Sequence, residues 1–343
     1  MIEFLLQYGL FLAKTVTIVI SILFIASGIA SLLLKGRAEK KDRIEIRNVN
    51  DKLKDFAYTI NREALPRSEY KKLLKREKSE SKEAKKAKGK KGSPHRKKRL
   101  FVLHFSGDIK ASATDALREE ITAVLTVAEP QDRVLVRLES SGGLVHSYGL
   151  AASQLQRIKQ RSIRLIVSVD KVAASGGYLM ACVADQIIAA PFAIIGSVGV
   201  VAQIPNFNRL LKEHNVDFER FTAGKYKQTV TMFGENTEEG RNKLKEELEE
   251  THSLFQDFVR DSRSDLDMER IATGEHWYGK KALELKLVDR LMTGDDYLLS
   301  KSNEFDLLEI SYSAKKSLLE RIPFIGAGSS IGRIVAGMGG HKL

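Results

Sequence analysis

An uninterrupted apolar run lies near the N-terminus of the chain. Thr15 to Leu34 spans twenty residues without a charge. At a rise of about 1.5 Å per residue, a helix of that length crosses a hydrocarbon core of about 30 Å. A cleaved signal peptide would have a shorter apolar run and a small-residue exit, whereas this run ends in Leu-Leu-Leu-Lys-Gly-Arg. We therefore expect residues 1–35 to be an uncleaved transmembrane anchor that contacts the lipid bilayer through residues 15–34.

A different pattern begins at Leu100, where short apolar runs alternate with segments of helical spacing. Strands are predicted at 100–105, 133–139 and 163–169, with helices at 113–127 and 145–158 between them. Further short apolar runs follow at 186–190 and 194–201. Strand and helix in alternation predict right-handed βαβ units, so the expected fold is α/β with a parallel sheet and flanking helices.

The C-terminal third continues with mixed elements. The pattern predicts a strand at 216–223, a long charged helix from Glu238 to about Arg263, a shorter helix at 280–287 and a last strand at 305–312. We divide the chain into the anchor (1–35), a basic, lysine-rich linker (36–99), a main α/β domain (100–300), and a C-terminal strand with a basic tail (301–343).

The charge of the chain is concentrated in the predicted linker. The net charge is +12, but residues 35–100 alone hold 25 Lys and Arg against 10 Asp and Glu, a net of +15. Residues 36–70 have some helical spacing, whereas 71–99 are of low complexity, which predicts a solvated tether without a core. No aromatic residues interleave these lysines as stacking sites for bases, so a lipid surface fits better than nucleic acid, and no nucleic-acid partner is expected.

Three glycine-containing turns follow predicted strands, at 140–145, 173–178 and 195–201. Loops at the carboxyl ends of parallel strands are where α/β sheets bind ligands. Glycines let backbone N–H groups face a substrate without steric obstruction. Each turn alone is weak evidence, but their occurrence on successive strands indicates a site.

Ser175 in the middle turn has the setting of a nucleophile. It lies between a predicted strand and a helix, with small neighbours on both sides, so its hydroxyl would stand at a sharp turn beside backbone N–H groups. An ordinary helix-capping serine is the competing interpretation. A nucleophilic serine also needs a base, and none of the seven histidines has a recognisable triad setting. Lys225 and Lys227 are alternatives that the residues alone do not separate, since a desolvated lysine acts as a base.

From about residue 101 to 300 the chain resembles peptidase family S49, the signal peptide peptidase A group. The resemblance rests on Ser-Ser-Gly-Gly at 140–143, Ser-Gly-Gly at 175–177, Gly-Ser-Val-Gly-Val at 196–200, Gly-Lys-Tyr-Lys at 224–227 and the segment 274–289. Two departures are Ser141, where the family usually has Pro, and Lys286, where it usually has Gly. The resemblance implies a ClpP/crotonase-like fold and self-association into a homo-oligomer.

The resemblance also implies the roles of individual residues. Ser175 would be the nucleophile and Lys227 its general base, with Ser197 orienting the lysine. The backbone N–H groups of Gly142 and Gly176 would hold the oxyanion. A neutral Lys227 requires an apolar pocket, to which residues 194–201 would contribute. No metal and no cofactor are expected.

The resulting hypothesis is a membrane-anchored serine endopeptidase that hydrolyses short or unfolded peptides, such as signal-peptide remnants. The alternatives are an inactive scaffold protein with a protease fold and a crotonase-like acyl-CoA enzyme, although the latter needs neither Ser175 nor Lys227. We expect a single-pass protein of the bacterial inner membrane. Basic residues directly after the anchor, including Lys35 and Arg37, favour a cytoplasmic catalytic domain under the positive-inside rule.

Overall fold

The computed structural model of the chain describes residues 2–35, 43–88 and 97–313. Its helices are α1 (Ile2–Lys35), α2 (Val49–Ala64), α3 (Arg67–Lys88), α4 (Thr114–Leu125), α5 (Val145–Gln160), α6 (Gly176–Ala181), α7 (Asn208–Glu213), α8 (Glu238–Ser262), α9 (Met268–Ile271), α10 (Gly279–Glu284) and α11 (Gly294–Lys301). Its strands are β1 (Arg43–Asn48), β2 (Lys98–Gly107), β3 (Arg133–Ser140), β4 (Arg164–Val169), β5 (Val172–Ala174), β6 (Gln186–Ala189), β7 (Ile194–Gly196), β8 (His276–Tyr278), β9 (Arg290–Leu291) and β10 (Phe305–Ser313).

The N-terminal unit contains the long helix α1. Its most apolar window, Tyr8–Ile25, has a mean hydropathy of 2.1 and none of its side chains is buried by protein. A helix of this length and composition is a candidate membrane span. The window begins and ends nearer the N-terminus than the predicted contact at 15–34, but α1 itself covers both ranges.

Residues 44–312 form the second unit, which is built on one sheet with the strand order β1-β10-β2-β3-β4-β6-β9. The pairs from β10 through β9 are parallel, as the alternation of strand and helix predicts. The short strands β5 and β7 branch from β3, and β8 pairs with β7 in antiparallel orientation. The α/β fold with a parallel sheet and flanking helices is therefore confirmed.

Both faces of the sheet are buried, and alternate residues of each strand serve different faces. In β2, Phe101, Leu103 and Phe105 belong to the larger core, with side chains from α4, α5, α6 and α8. Leu100 and Val102 face a smaller core that is closed by α11 and by Leu53 of α2. Adjacent apolar residues within a strand, such as residues 134–136, are the sequence pattern of such doubly covered sheets.

Part of the predicted linker takes part in the fold of the second unit. The strand β1 pairs with β10, and the side-chain amide of Asn50 in α2 donates to the carbonyl oxygens of Ser302 and Phe305 at 2.7 and 3.1 Å. The lysine-rich tract is helical as far as Lys88, where composition predicts a tether without structure. Lysine, glutamate and alanine are strong helix formers, so a helix here needs no core. Residues 89–96 and the tail after Ser313 lie outside the described residues.

The strand predicted at 216–223 is wrong. These residues form no strand, and large apolar side chains such as Phe221, which is 89% exposed, face solvent. Alternation of apolar and polar residues is satisfied by any extended chain, so a sheet edge is needed before it forms a strand. The segment between β7 and α8 contains only the short helix α7 as regular structure.

Candidate active site

Ser175 lies in the turn that joins β5 to α6. Its backbone has φ +52° and ψ −121°, a conformation that a residue with a Cβ adopts only under strain. Its N–H donates to the carbonyl oxygen of Gly196 at 2.8 Å, which continues the parallel pairing of β5 with β7. The hydroxyl makes no capping hydrogen bond to α6. The helix-capping interpretation of this serine is therefore not supported, and its half-buried hydroxyl is left available.

The glycines of the first turn lie directly against Ser175. Gly142 has φ +91°, and a methyl group placed on it would lie 2.7 Å from Gly176 N and 2.8 Å from Ser175 Cβ. Only a glycine therefore allows the two loops to approach so closely. The structure thus brings Gly142 of the first turn against Ser175 and Gly176 of the second turn.

The backbone N–H groups of this turn differ in their partners. Gly142 N–H donates to Ser140 Oγ at 3.0 Å. Over the described residues, by contrast, neither Gly143 N–H nor Gly176 N–H has a hydrogen-bond acceptor in the chain. Gly142 N–H must exchange Ser140 for a substrate oxygen before it can act as a donor, whereas Gly143 and Gly176 are already free to donate.

Ser197 is adjacent to the carbonyl group that receives the Ser175 N–H. It also has a positive φ, +52°, and its own N–H donates to Glu275 O at 2.6 Å. The preceding Gly196 has φ +105°, and a methyl group there would lie 2.8 Å from Trp277 Cε3. The pairing of Ala174 with Gly196 therefore places the Ser175 and Ser197 turns side by side at the ends of β5 and β7.

Lys227 lies in the irregular segment after Gly224 and is exposed to solvent. Its N–H donates to Gly224 O at 3.2 Å. Among the hydrogen bonds of residues 97–313, none joins Lys227 to Ser175 or Ser197. The apolar pocket expected around its amine is not formed in this single chain.

Lys225, the other candidate base, has a partner of its own. Its amine lies 2.7 Å from a carboxylate oxygen of Glu239, and this hydrogen bond, followed by that to Tyr226, raises the pKa of Lys225 above its ordinary value. A lysine with a raised pKa holds its proton more firmly, so less of it is in the neutral form that can accept a proton from serine. This contact distinguishes the two lysines, which the sequence could not do.

Two residues that sequence reasoning did not single out lie behind the first turn. Ser140 and Tyr148 are buried, and their hydroxyl oxygens are 2.5 Å apart. Tyr148 follows the apolar spacing of α5, so its pattern indicated only a core position. No group of three or more His, Cys, Asp or Glu side chains is arranged to hold a metal within the described part of the chain.

Comparison with known proteins identifies the family. The model of the N-terminal part of peptidase family S49 matches residues 3–155, and the model of peptidase family S49 matches residues 157–307. The chain is 50% identical to the probable protease SohB of Haemophilus influenzae over 328 residues, which cover 93% of this chain and 92% of that one. It is 61% identical to the probable protease SohB of Buchnera aphidicola from Acyrthosiphon pisum, over 66% of this chain and 68% of that one.

A solved structure is also similar. It is the 1510-N membrane-bound stomatin-specific protease, a mutant in complex with a substrate peptide, with 17% identity and a TM-score of 0.42 over 67% of this chain and 99% of that one. The two S49 models together match residues 3–155 and 157–307, and the relatives match over most of their length. This chain therefore belongs to peptidase family S49, and it is a peptidase.

Proposed function

We propose that this peptidase is a membrane-anchored serine endopeptidase with Ser175 as nucleophile and Lys227 as general base. The observation that carries the proposal is the Ser175 turn, where a strained serine with an uncapped hydroxyl lies between the N–H groups of two glycine loops. Strain of this kind persists only where the surrounding fold maintains it, and it concentrates at functional sites.

The chemistry follows from these groups. Lys227 in its neutral form takes the proton of Ser175, and the serine oxygen attacks the carbonyl carbon of the scissile peptide bond. The oxyanion is held by Gly176 N–H together with an N–H of the first turn, either Gly143 or, after release from Ser140, Gly142. When this tetrahedral intermediate collapses, the amine product leaves with the proton from Lys227 and the serine remains acylated. Water then hydrolyses the acyl-enzyme. Ser197 would orient the lysine amine.

Lys227 must lose water before it can act as a base, because desolvation lowers the pKa of a lysine. We propose that self-association provides this burial. Large apolar side chains are exposed along the surrounding segment: Val201, Ile204, Phe207, Leu210, Val216, Phe218, Phe221, Met232 and Phe233. An exposed apolar patch of this kind is typical of an association surface.

The substrates we propose are short or unfolded peptides, including signal-peptide remnants released beside the anchor. We also propose that α1 spans the bacterial inner membrane once and that the catalytic domain faces the cytoplasm, on the basis of Lys35 and the basic residues after it. A reporter that fluoresces only in the cytoplasm, fused after Leu343, tests the orientation. If the fusion protein is present in the membrane fraction but does not fluoresce in intact cells, the catalytic domain faces the opposite side of the membrane.

The test of the dyad uses the full chain in detergent with a library of internally quenched peptides. We expect turnover by the wild type, loss of turnover in Ser175→Ala and Lys227→Ala, and little change in the matched control Lys225→Ala. Full activity of Lys227→Ala would remove this lysine from the mechanism. A wild type inert toward every peptide would favour the inactive scaffold, and turnover of acyl-CoA thioesters alone would favour the crotonase-like enzyme.

A further inference from the structure

Tyr148 lies beneath the first glycine turn, in the first turn of α5 after the 140–144 loop, and its side chain is fully buried. Its hydroxyl donates to the carbonyl oxygen of Asp108 at 2.7 Å and lies 2.5 Å from Ser140 Oγ. Ser140 Oγ in turn accepts the N–H of Gly142 at 3.0 Å. These contacts form one continuous chain from the turn to the end of β2.

The direction of each hydrogen bond in this chain is determined by the groups at its two ends. A carbonyl oxygen only accepts, so the single proton of Tyr148 is directed at Asp108. Ser140 must therefore donate to Tyr148, and its lone pair receives Gly142 N–H. Burial raises the pKa of Tyr148, with the Asp108 charge acting in the same sense, so the phenol stays protonated at neutral pH.

The Asp108 end of this series of hydrogen bonds is itself held by further contacts. The carboxylate of Asp108 accepts from the N–H and the hydroxyl of Ser112, both at 2.8 Å. Ile109 O accepts the N–H of Leu144 at 2.9 Å, which ties the loop after β2 to the loop after β3. Tyr148 therefore lies between two loops that are joined to each other by a backbone hydrogen bond.

The ring of Tyr148 meets the other side of the site. A methyl group placed on Gly176 would overlap Cγ of Tyr148 and would lie 2.8 Å from its Cβ. The ring thus packs on the backbone of the residue that follows Ser175. The edge of Phe105 supports the ring, with 6.4 Å between centroids and 73° between planes.

We propose that Tyr148 is a positioning residue for the oxyanion site. Its hydroxyl holds the Ser140–Gly142 turn and with it the unoccupied N–H of Gly143, and its ring holds Gly176, so one side chain sets the spacing between the free N–H groups of the two loops. This inference rests on the function proposed above. An oxyanion hole is effective only when its donors are held in place before the reaction, so loosening one loop should slow the chemical step more than it weakens substrate binding.

The test is Tyr148→Phe in the full chain, which removes the hydroxyl and keeps the ring. With the best quenched peptide from the library, we expect kcat to fall at least about tenfold, up to the roughly 100-fold expected for loss of an oxyanion donor, and KM to stay within about twofold. A peptide aldehyde of the same sequence, which forms a tetrahedral adduct with the serine, should lose affinity in parallel with kcat. Amide hydrogen exchange of residues 140–144 should accelerate.

The matched control is Tyr178→Phe. Tyr178 is also fully buried, and its hydroxyl donates to a backbone carbonyl, that of Leu287 at 3.1 Å, away from the first turn. Tyr178→Phe should lower the melting temperature about as much as Tyr148→Phe does, without changing kcat or the amide hydrogen exchange of residues 140–144. Equal kcat losses in the two variants would mean a general structural effect and would overturn the proposal.

Ser140→Ala provides a second variant if Tyr148→Phe does not fold. Removal of the same chain of hydrogen bonds should lower kcat, and the double variant should lose no more than the larger single loss, because both substitutions break one network. Independent, multiplying losses would contradict the proposal. If Tyr148→Phe keeps its kcat while the wild type is active, the positioning role fails and the proposed function stands. If the wild type shows no turnover that depends on Ser175, both fail.

Discussion

The strained backbone of Ser175 leads to a quantitative prediction about stability. Its φ of +52° is a conformation in which a residue other than glycine costs about 1–3 kcal/mol. Ser175→Ala keeps the Cβ and therefore the strain, whereas Ser175→Gly relieves it. We expect the glycine variant to be the more stable of the two, although both lack the nucleophile.

The magnitude is a balance of three contributions. Relief of strain contributes about 2 kcal/mol at the middle of the range. Glycine loses about 0.5–1 kcal/mol more conformational free energy on folding than alanine does. Removal of a half-buried methylene costs about 0.4 kcal/mol, half the value for full burial. The net gain over Ser175→Ala is about 1 kcal/mol, or a melting temperature about 2–4 °C higher for a domain of this size.

The assay is urea unfolding of the full chain in detergent, followed by tryptophan fluorescence. Trp277 is the single tryptophan and packs against Gly196, next to the site, so its emission reports loss of this region. The control is Ser153, an exposed residue within α5, where Gly should be less stable than Ala by about 0.5–1 kcal/mol. The sign should invert at position 175. A Ser175→Gly variant no more stable than Ser175→Ala would refute the assignment of strain.

Three further predictions follow from single contacts. Gly142→Ala should abolish peptide turnover and lower the melting temperature, because the new methyl group would lie 2.7 Å from Gly176 N and the φ of residue 142 is +91°. Retention of more than a tenth of the wild-type rate would contradict this close approach. Burial raises the pKa of Glu120 from 4.5 to about 7, against the opposing effect of the hydrogen bond from Tyr312 N–H. The folded state therefore binds this proton more tightly than the unfolded state does. The free energy of unfolding should decline by about 3 kcal/mol as the pH rises from 4.5 to 7. Glu120→Gln should flatten that decline in urea titrations at pH 5 and 8, and an unchanged slope would assign it to other groups. Lys286 has φ +61° and an exposed side chain, so Lys286→Gly should raise the free energy of unfolding by about 0.5–1 kcal/mol with unchanged activity, whereas a loss of stability would show that the left-handed backbone costs little here.

The regular part of the fold was predictable because its pattern has one consistent explanation. The strands at 133–139 and 163–169 have apolar centres, residues 134–136 and 165–167, with a helix between the two strands, and parallel pairing with two covered faces is the arrangement that buries such centres. The strand at 216–223 failed for the opposite reason, since its alternation had no neighbouring edge to pair with. The pairing of β1 with β10 joins residues far apart in sequence, and no local pattern encodes it.

The candidate site shows the same division. Because glycine turns follow successive parallel strands, the sequence predicts that Ser175, Gly142 and Gly176 lie at one edge of the sheet. The N–H of Gly142 is occupied by the Ser140 side chain two residues earlier, a contact that the sequence pattern does not encode, and the ion pair of Lys225 depends on Glu239 of α8. The burial of Lys227 is not achieved within one chain, and its role stays a prediction.

The sequence by itself therefore determined the apolar helix, the order of strands and helices, and the turns that hold the reactive groups, because these depend on neighbours within about twenty residues. The tertiary structure decided which backbone groups face the serine, which lysine is engaged, and that Tyr148 supports both glycine loops. These properties depend on distances of 2.7–2.8 Å between segments that are far apart in the chain, such as Tyr148 with Asp108 and Ser175 with Gly196. Such contacts are set by packing, which a one-dimensional pattern does not specify.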